Sequence, residues 1–348
     1  MSEGIKVLSA GPGVTVQDRG RPGWLNAGLS RGGAADPLAL SEGAALLEHS
    51  DDLPALEMAG MGGAFVAQTN LRLALTGAPM QVTLDGERLA WNASHHWPAG
   101  ARLSVGGTVS GGYGYLHVGG GFMGHAQLGA CSVHLSAGIG RAVQAGDALA
   151  VRCDPGGPVD LALPVEDRFN GGIVRIVESL QTHLFAQNER DRFTATTFRR
   201  DTRGNRMGLR LVPPEGGFHI DSGRTILSEV IVPGDIQITG DGTPFVLLCE
   251  CQTTGGYPRI GTVLPCDLPI VAQAPAGAPL RFRFVGLDEA TAAERKAASA
   301  RQTLVRNLRP LIRDPHTISD LLSYQLISGV TAGYADIGEK EDTDGTGN

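Results

Sequence analysis

The segment from Gln252 to Arg259 places amide, phenol and guanidinium groups around a paired-glycine turn. Gly255 and Gly256 lie between the polar residues, which also include Tyr257. Glycine takes φ > 0 without strain and lets the backbone approach a ligand closely. An amide and a guanidinium can orient a small polar substrate, and a phenol can transfer a proton. The pattern predicts a substrate-binding turn, with a hydrogen-bonded end of a β-barrel as the alternative.

The apolar residues 245–251 precede this turn and predict a buried strand that leads into it. Side chains alternate along a strand, so Glu250 and Gln252 would share one face. We therefore expect Glu250 and Gln252 to converge with Tyr257 and Arg259. Within that group, Glu250 and Tyr257 are the candidate catalytic residues, because a carboxylate and a phenol can both handle protons.

A second polar loop lies near the N-terminus, where Gln17, Asp18, Arg19 and Arg21 surround Gly20. An arginine fork binds a carboxylate or phosphate through two parallel hydrogen bonds, so Arg19 and Arg21 are candidate anion-binding residues. Gln17 is a candidate for orienting an amide, and Asp18 is a further candidate catalytic residue, which would also orient one arginine. The alternative is an internal ion pair between Asp18 and Arg19 that locks the turn.

Four more polar residues stand near glycines or in apolar surroundings. Asp36 precedes a helix start and is either its N-cap or a site residue. Glu57 lies in an apolar stretch, where burial without a partner would raise its pKa, unless it pairs with an arginine of loop 17–21. Asn205 and Arg206 end a polar loop that runs into a strand, and we add both to the candidate substrate-binding residues.

These candidates need a β framework, which the sequence supplies. Glycine accounts for 50 of 348 residues and aromatic residues for only 5%, which favours short strands and tight turns. Residues with strand patterns include 71–76, 81–84, 113–118 and 172–177. Pro37 after Asp36 predicts a helix over residues 37–47. Residues 287–308 predict an amphipathic helix for partner binding or self-association, and 318–322 suggest another.

The chain length suggests two domains joined by a linker. The Pro- and Gly-rich residues 153–158 are the candidate linker, so we predict domains at 1–155 and 156–286, followed by an extension at 287–348. The polar, acidic residues 339–348 predict a disordered end. Internal similarity favours a duplicated β-barrel unit over coincidence, because 80–86, 120–122 and 145–149 match, in order, 236–242, 255–257 and 276–280.

Charge and composition exclude several classes of partner and location. The net charge of −7 leaves no basic footprint for nucleic acid or an anionic membrane. The N-terminus lacks a signal-peptide pattern, so we expect a cytoplasmic protein. Five cysteines, an odd number, indicate reduced thiols. Cys249 and Cys251 lack a second close pair or a nearby histidine, so we predict core packing and no metal site.

The scarcity of lysine restricts the cofactors that this chain can carry. Only Lys6, Lys296 and Lys340 occur, and none follows a methionine in the hairpin tip that carries biotin. No Gly-x-x-x-x-Gly-Lys-Ser/Thr loop is present to hold the phosphates of ATP. Any biotin, or ATP bound by a P-loop, must come from a partner.

Four segments together resemble a known family, that of the C-type subunits of 5-oxoprolinase, also called KipA, allophanate hydrolase subunit 2 or the biotin-dependent carboxyltransferase family. The resemblance extends from Ile5 to Val285. The segments that carry it are 13–23 (GVTVQDRGRPG), 33–40 (GAADPLAL), 205–211 (NRMGLRL) and 252–260 (QTTGGYPRI). The sequence departs from the family pattern by Glu250, where aspartate is usual, and by the tail after Val285.

The resemblance implies two tandem cyclophilin-like β-barrel domains. It also implies a complex with an A-type subunit and a KipI-like B-type sister subunit. That complex would catalyse the ATP-dependent opening of 5-oxo-L-proline to L-glutamate. Under this hypothesis Arg19, Arg21 and Arg259 bind anionic groups, and Glu250 and Tyr257 handle protons. The candidates for orienting the amide are Gln17, Asn205 and Gln252.

Two alternatives remain open at this point. The same fold pair forms the carboxyltransferase part of urea carboxylase, so the chain could transfer a carboxyl group from biotin on a separate carrier. The KipA name suggests a second alternative, a non-catalytic regulator that binds the KipI-like sister subunit.

Overall fold

Short strands dominate the residues that the computed structural model describes, 4–220 and 226–312, and the predicted mainly β class is confirmed. The strands of the first half are β1 Ile5–Ala10, β2 Thr15–Gln17, β3 Ala55–Ala59, β4 Gly63–Ala67, β5 Leu71–Gly77, β6 Met80–Leu84, β7 Glu87–Arg88, β8 Ala93–Trp97, β9 Arg102–Thr108, β10 Tyr113–Val118, β11 Ala148–Leu149 and β12 Leu161–Ala162. Those that follow are β13 Gly172–Val177, β14 Phe198–Asn205, β15 Gly208–Val212, β16 Glu229–Val230, β17 Asp235–Ile238, β18 Pro244–Leu247, β19 Thr254–Gly255, β20 Arg259–Val263, β21 Pro279–Phe284 and β22 Arg309–Pro310. The α-helices are α1 Pro37–Leu47, α2 Gln187–Ala195, α3 Leu268–Gln273 and α4 Leu287–Gln302.

The strands form two packed sheets in the first half and a closed barrel in the second. One sheet has the order β11-β1-β4-β9-β6-β7, and the other has the order β2-β3-β10-β5-β8-β12-β22. The barrel closes in the order β13-β20-β17-β18-β15-β14-β21, and β16 and β19 form a separate pair. Predicted strands 71–76, 81–84, 113–118 and 172–177 are confirmed as β5, β6, β10 and β13.

Each half has its own hydrophobic core. The two sheets share a core in which Phe65, Trp97 and Leu116 are fully buried. The barrel encloses a second core, which contains a cluster of aromatic rings 4.9–5.7 Å apart from Phe193, Phe198, Phe218 and Phe282. Both cores nevertheless belong to one compact unit, which ends at Leu311. The domain boundaries and the duplication stay predictions.

Helix α1 is confirmed over its predicted range, and Asp36 is its N-cap. The Asp36 carboxylate accepts hydrogen bonds from the backbone N–H groups of Leu38 and Ala39. Its other oxygen binds Arg168, which also pairs with Glu42 inside the helix. Asp36 is therefore a cap and an ion-pair partner at once, held in a fully buried position.

The predicted helix at 287–308 is confirmed as α4 and a 3₁₀ turn at Leu304–Asn307. Part of its apolar surface packs within the chain, while Leu287 and Val305 are exposed. Ala290 packs with Leu264 and Val285, beside the barrel. After the helix, Leu304 and Leu308 pack against a cluster that contains residues of α1. Strand β22 then pairs with β12. The second predicted helix, 318–322, and the acidic end, 339–348, lie outside the described residues.

Helix α1 packs so closely on β10 that an alanine cannot replace one of its glycines. A Cβ atom on Gly43 would lie 2.4 Å from three ring atoms of the buried His117. Alanine normally favours a helix by about 1 kcal/mol over glycine. We expect the opposite at Gly43, a loss of about 1–3 kcal/mol in the free energy of unfolding, because overpacking outweighs propensity. Urea denaturation of Gly43→Ala measures this loss in the free energy of unfolding.

Gly240, in the exposed turn after β17, is the control because a Cβ there would meet nothing within 4 Å and its φ is not positive. Gly240→Ala should not lower the urea midpoint. A Gly43→Ala variant that is as stable as the native chain, or more stable, would contradict the packing of α1 on His117.

His117 also makes stability depend on pH. Burial, with a smaller contribution from His49, lowers its pKa to about 3. Between pH 6.5 and 3 the unfolded chain therefore binds a proton on this residue that the folded chain does not. The free energy of unfolding should fall as pH falls through this window, by up to about 1.4 kcal/mol per pH unit. Urea denaturation at about pH 7 and at about pH 5.5 measures this change in the free energy of unfolding. The change should be smaller in His117→Gln than in His96→Gln, the control at an exposed site.

Candidate functional site

Two loops of the first half interlock through their backbones and so position the predicted N-terminal site. Arg21 N–H donates to the Arg31 carbonyl at 2.8 Å, and Ala34 N–H donates to the Asp18 carbonyl at 2.9 Å. At Gly33 the backbone has φ of +81°, and a Cβ there would lie 2.6 Å from the Gly20 nitrogen. Only glycine permits that approach.

Three residues of the predicted N-terminal site hold the segment that leads to His134. Gln17 donates to the Val133 carbonyl at 3.0 Å. Asp18 accepts from Cys131 N–H at 2.6 Å and from Gly20 N–H at 2.8 Å. Arg21, only 1% exposed, donates to the Ser132 carbonyl. These side chains therefore position residues 131–134.

Arg19 lies apart from this group. Its guanidinium pairs with Asp51 and donates to the Ser41 hydroxyl at 2.6 Å. Asp18 bonds to backbone N–H groups instead, so the alternative of an Asp18–Arg19 ion pair is wrong. The side chain of Arg19 faces a large cleft, not the buried residues around Arg21.

Arg206, which follows β14, joins the two halves at a buried charged centre. Its Nε lies 2.6 Å from Glu250 of the second half, and its Nη1 pairs with Glu57 of β3. Its third contact is a hydrogen bond to the Gly33 carbonyl. Glu57 also accepts from Tyr115 Oη at 2.7 Å and from a backbone N–H. The partner of Glu57 is therefore Arg206, and neither arginine of loop 17–21.

Arg206 and Tyr115 of this centre keep their protons. Burial opposes the charge on Arg206, but the carboxylates of Glu57 and Glu250 raise its pKa well above its ordinary value. Burial and Glu57 raise the pKa of Tyr115 as well, so its hydroxyl stays a donor to Glu57. One cation thus stands between two acids, and neither Arg206 nor Tyr115 can exchange a proton near neutral pH.

The proton-handling groups lie on the far side of Glu250. His134 Nε2 is 2.9 Å from the Ser30 hydroxyl, and His134 Nδ1 is 3.2 Å from the Ser136 hydroxyl. Glu250 Oε2 lies 3.3 Å from Ser136 Oγ and 3.8 Å from His134 Nδ1. We call Ser30, His134, Ser136 and Glu250 the Ser–His–Glu array.

The surroundings keep the imidazole of His134 neutral. Burial lowers the pKa of His134, Glu250 raises it, and the cations Arg21 and Arg206 lower it further, with a net decrease. Ser136 is exposed on the 3₁₀ turn Leu135–Ala137, while Ser30 is buried. A neutral imidazole is thus connected to solvent through one hydroxyl, an arrangement that suits a general base.

The structure does not gather the residues of the Gly-Gly-Tyr-Pro turn as expected. The strand expected over 245–251 ends at Leu247, so the prediction that Glu250 and Gln252 share a strand face is wrong. Tyr257 is half exposed, whereas Glu250 is buried beside Arg206. The glycine pair does not have φ > 0, and Gly255 packs closely on a side chain instead.

Arg259 belongs to a separate ion cluster in the barrel. It pairs with Glu229 and lies 3.3 Å from Asp235. Its backbone N–H donates to Gln181 at 3.0 Å. Since Glu229 is in β16, Arg259 holds the small β16–β19 pair against the barrel, at a distance from the contacts of Glu250.

Two cavities lie near the predicted residues. Asn205 and Gln252 line one of about 410 Å³, together with Cys251. The other is a cleft of about 830 Å³ lined by loop 31–35 and Cys249 on one side and by α4 on the other. Its wall is bonded to the charged centre through Ala35, whose N–H donates to Glu57. Within the wall, Gly32 N–H donates to the Cys249 carbonyl.

The sequence analysis did not single out Ser30, His134 or Ser136. Ser30 and His134 are 104 residues apart, and Ser136 and Glu250 are 114 apart. No spacing rule connects such positions. The one local signal is the His134-Leu135-Ser136 tripeptide, which places imidazole and hydroxyl two residues apart.

Two further features are absent from the described residues. In 4–220 and 226–312, no three His, Cys, Asp or Glu side chains come close enough to hold a metal ion together. Within those ranges, no helix has the length and apolar character required to cross a membrane.

Comparison with known proteins assigns the family. The family model described as carboxyltransferase domain, subdomains A and B, matches residues 27–284. The C-type subunit of 5-oxoprolinase from Escherichia coli (strain K12) is 33% identical over 292 residues, which cover 82% of this chain and 93% of that protein. The corresponding protein of Haemophilus influenzae is 31% identical over 299 residues, which cover 84% of this chain and 94% of that protein. The Kluyveromyces lactis urea carboxylase structure is similar in fold, with a TM-score of 0.77 at 22% identity over 90% of this chain and 31% of that chain.

The paired sheets, the closed barrel and the matched region define a protein of the carboxyltransferase-domain class. Within that class, the chain belongs to the family of the C-type subunits of 5-oxoprolinase.

Removal of Arg206 should unfold the junction between the halves. Arg206→Ala leaves Glu57 and Glu250 buried without their cation, and breaking such a pair costs about 3–5 kcal/mol. We expect a fall of that size in the free energy of unfolding, measured by urea denaturation. The exposed Arg203 of β14, which pairs with Asp201, is the control. If Arg206→Ala is as stable as Arg203→Ala, the charged centre does not hold the halves together.

Proposed function

We propose that this chain is the C-type subunit of an ATP-dependent 5-oxoprolinase that opens 5-oxo-L-proline to L-glutamate together with A-type and B-type subunits. The observation that carries the proposal is 33% identity with the Escherichia coli C-type subunit of 5-oxoprolinase across 93% of its length. The family model covers 258 residues, from 27 to 284, so the similarity is not confined to one motif.

The Ser–His–Glu array supports lactam hydrolysis at this site. Opening a lactam requires removal of a proton from the attacking oxygen and delivery of one to the departing nitrogen. His134, kept neutral by burial and by the neighbouring arginines, can accept the first proton. Glu250, fixed by Arg206, can stabilise the imidazolium that forms. Substrate reaches both groups from the side of the exposed Ser136.

The chain's own residues do not fit ATP in the manner of a P-loop, so the nucleotide is assigned to the partner subunits. At the start of α1, the Asp36 carboxylate already accepts hydrogen bonds from the N–H groups that a phosphate would need. The first turn of α4 carries Asp288 and Glu289, which repel phosphate.

The test is reconstitution of the three subunits with measurement of ATP-dependent glutamate formation. Glu250→Gln and His134→Gln should each reduce kcat by about 10²–10⁴-fold, the usual contribution of a positioned acid or base. His96→Gln, at an exposed histidine of β8, should retain full kcat. Undiminished turnover in both site variants would reject the array as the proton-handling group.

Carboxyl transfer is the second candidate function, favoured by the family model over residues 27–284. Of the two lysines in the described residues, Lys6 lies in β1 and Lys296 in α4, and neither is at a hairpin tip that suits biotin attachment. In this candidate function the biotin comes from a separate carrier. Incubation with a biotinylated carrier, urea and labelled bicarbonate tests this candidate. Label incorporated into product, with no glutamate from 5-oxoproline, would replace the first proposal.

A further inference from the structure

We propose that Ser136 is a nucleophile that accepts an acyl group, activated by His134 and supported by Glu250. The acyl donors would be carboxylic acid derivatives with an amine leaving group, such as a lactam. The identity of the acyl group rests on the proposed function, whereas the reactivity of the serine does not.

The hydrogen bonds are compatible with the imidazole tautomer that this role needs, in which Nε2 carries the proton. Ser30, which is buried, lies 2.9 Å from His134 Nε2, and its oxygen can accept the Nε2–H. The lone pair of Nδ1 then faces Ser136 Oγ at 3.2 Å. Ser30 is thus a positioning residue, while Ser136 stands at the surface where a substrate can reach it.

Glu250 completes the arrangement. Its Oε1 is held by Arg206 at 2.6 Å, which leaves Oε2 directed toward the pair, 3.8 Å from His134 Nδ1. A carboxylate at that position stabilises the imidazolium that forms when Nδ1 takes the serine proton. Arg21 and Arg206 favour the neutral base before the reaction.

A second hydroxyl–imidazole pair in the same chain shows what distinguishes Ser136. Thr76 Oγ1 lies 2.8 Å from His117 Nε2, which is as close as the pairs in the array. That threonine is fully buried and also bonds to the Ala39 carbonyl. Thr76 therefore cannot meet a substrate, and it serves as an internal negative control for reactivity.

The proposed step balances in atoms and charge. Ser136 Oγ forms a bond to the acyl carbon, and its proton passes to His134 Nδ1. The C–N bond breaks with its electron pair on nitrogen, which takes the proton from His134. Water then attacks the Ser136 ester, the C–O bond breaks, and the free acid and the serine hydroxyl are released.

Diisopropyl fluorophosphate on the isolated full chain tests the nucleophile without partner subunits. The reagent forms an Oγ–P bond as the P–F bond breaks, and intact-mass measurement followed by peptide mapping locates the adduct. We expect one adduct, on Ser136, absent in Ser136→Ala and formed at least about 100-fold more slowly in His134→Gln. The rate should decrease as pH falls through a midpoint below 6.5, where His134 gains a proton. Ser299→Ala, at an exposed serine of α4, should label like the native chain.

An adduct on Ser30 or Thr76, or equal labelling rates in the native chain and His134→Gln, would overturn the proposal. Because Ser136 is exposed, the melting temperature of Ser136→Ala should lie within about 2 °C of that of the native chain. His134→Gln is a second variant that tests the same nucleophile. In the reconstituted complex, undiminished glutamate formation by Ser136→Ala would refute acyl transfer to Ser136 in that reaction. If Ser136 forms the adduct but the reconstituted complex forms no glutamate, Ser136 is a nucleophile and the assignment of a lactam substrate is rejected.

Discussion

The guanidinium of Arg206 is the contact on which the arrangement of the two halves depends. It binds Glu57 of the paired sheets, Glu250 beyond the barrel strand β18, and the Gly33 carbonyl of the interlocked loops. A buried charge of this kind is tolerated only when all its partners are in place, because each lost partner leaves an uncompensated ion. The two halves can therefore pack in only one register that satisfies the three contacts.

A second buried arginine reinforces this register. Arg168 pairs with Asp36 and Glu42 of the α1 region, and Gln273 of α3 donates to the same Asp36. Gln273 also accepts hydrogen bonds from the N–H groups of residues 112–113 in the first half. The barrel is thus tied to the first half at two polar points. Loss of either would displace Glu250 relative to His134, since those two residues come from opposite halves.

The same arginine that joins the halves, Arg206, sets the chemistry of the array. By holding one oxygen of Glu250, Arg206 leaves the other for Ser136 and His134. Its positive charge, with that of Arg21, also lowers the pKa of His134 against the influence of Glu250. Structural stability and acid–base chemistry consequently depend on one side chain. The array therefore exists only when both halves are folded and joined.

The sequence by itself determined the mainly β class, helix α1, and strands β5, β6, β10 and β13, because these follow from local periodicity and turn residues. It also identified Glu250 and Arg206 as candidate site residues. Only the tertiary structure decided that Arg206 pairs with Glu57, that Arg259 lies in a different cluster, and that His134 meets Ser30 and Glu250. Those contacts join residues 24 to 149 positions apart, and long-range pairing in β structures leaves no periodic trace in the sequence.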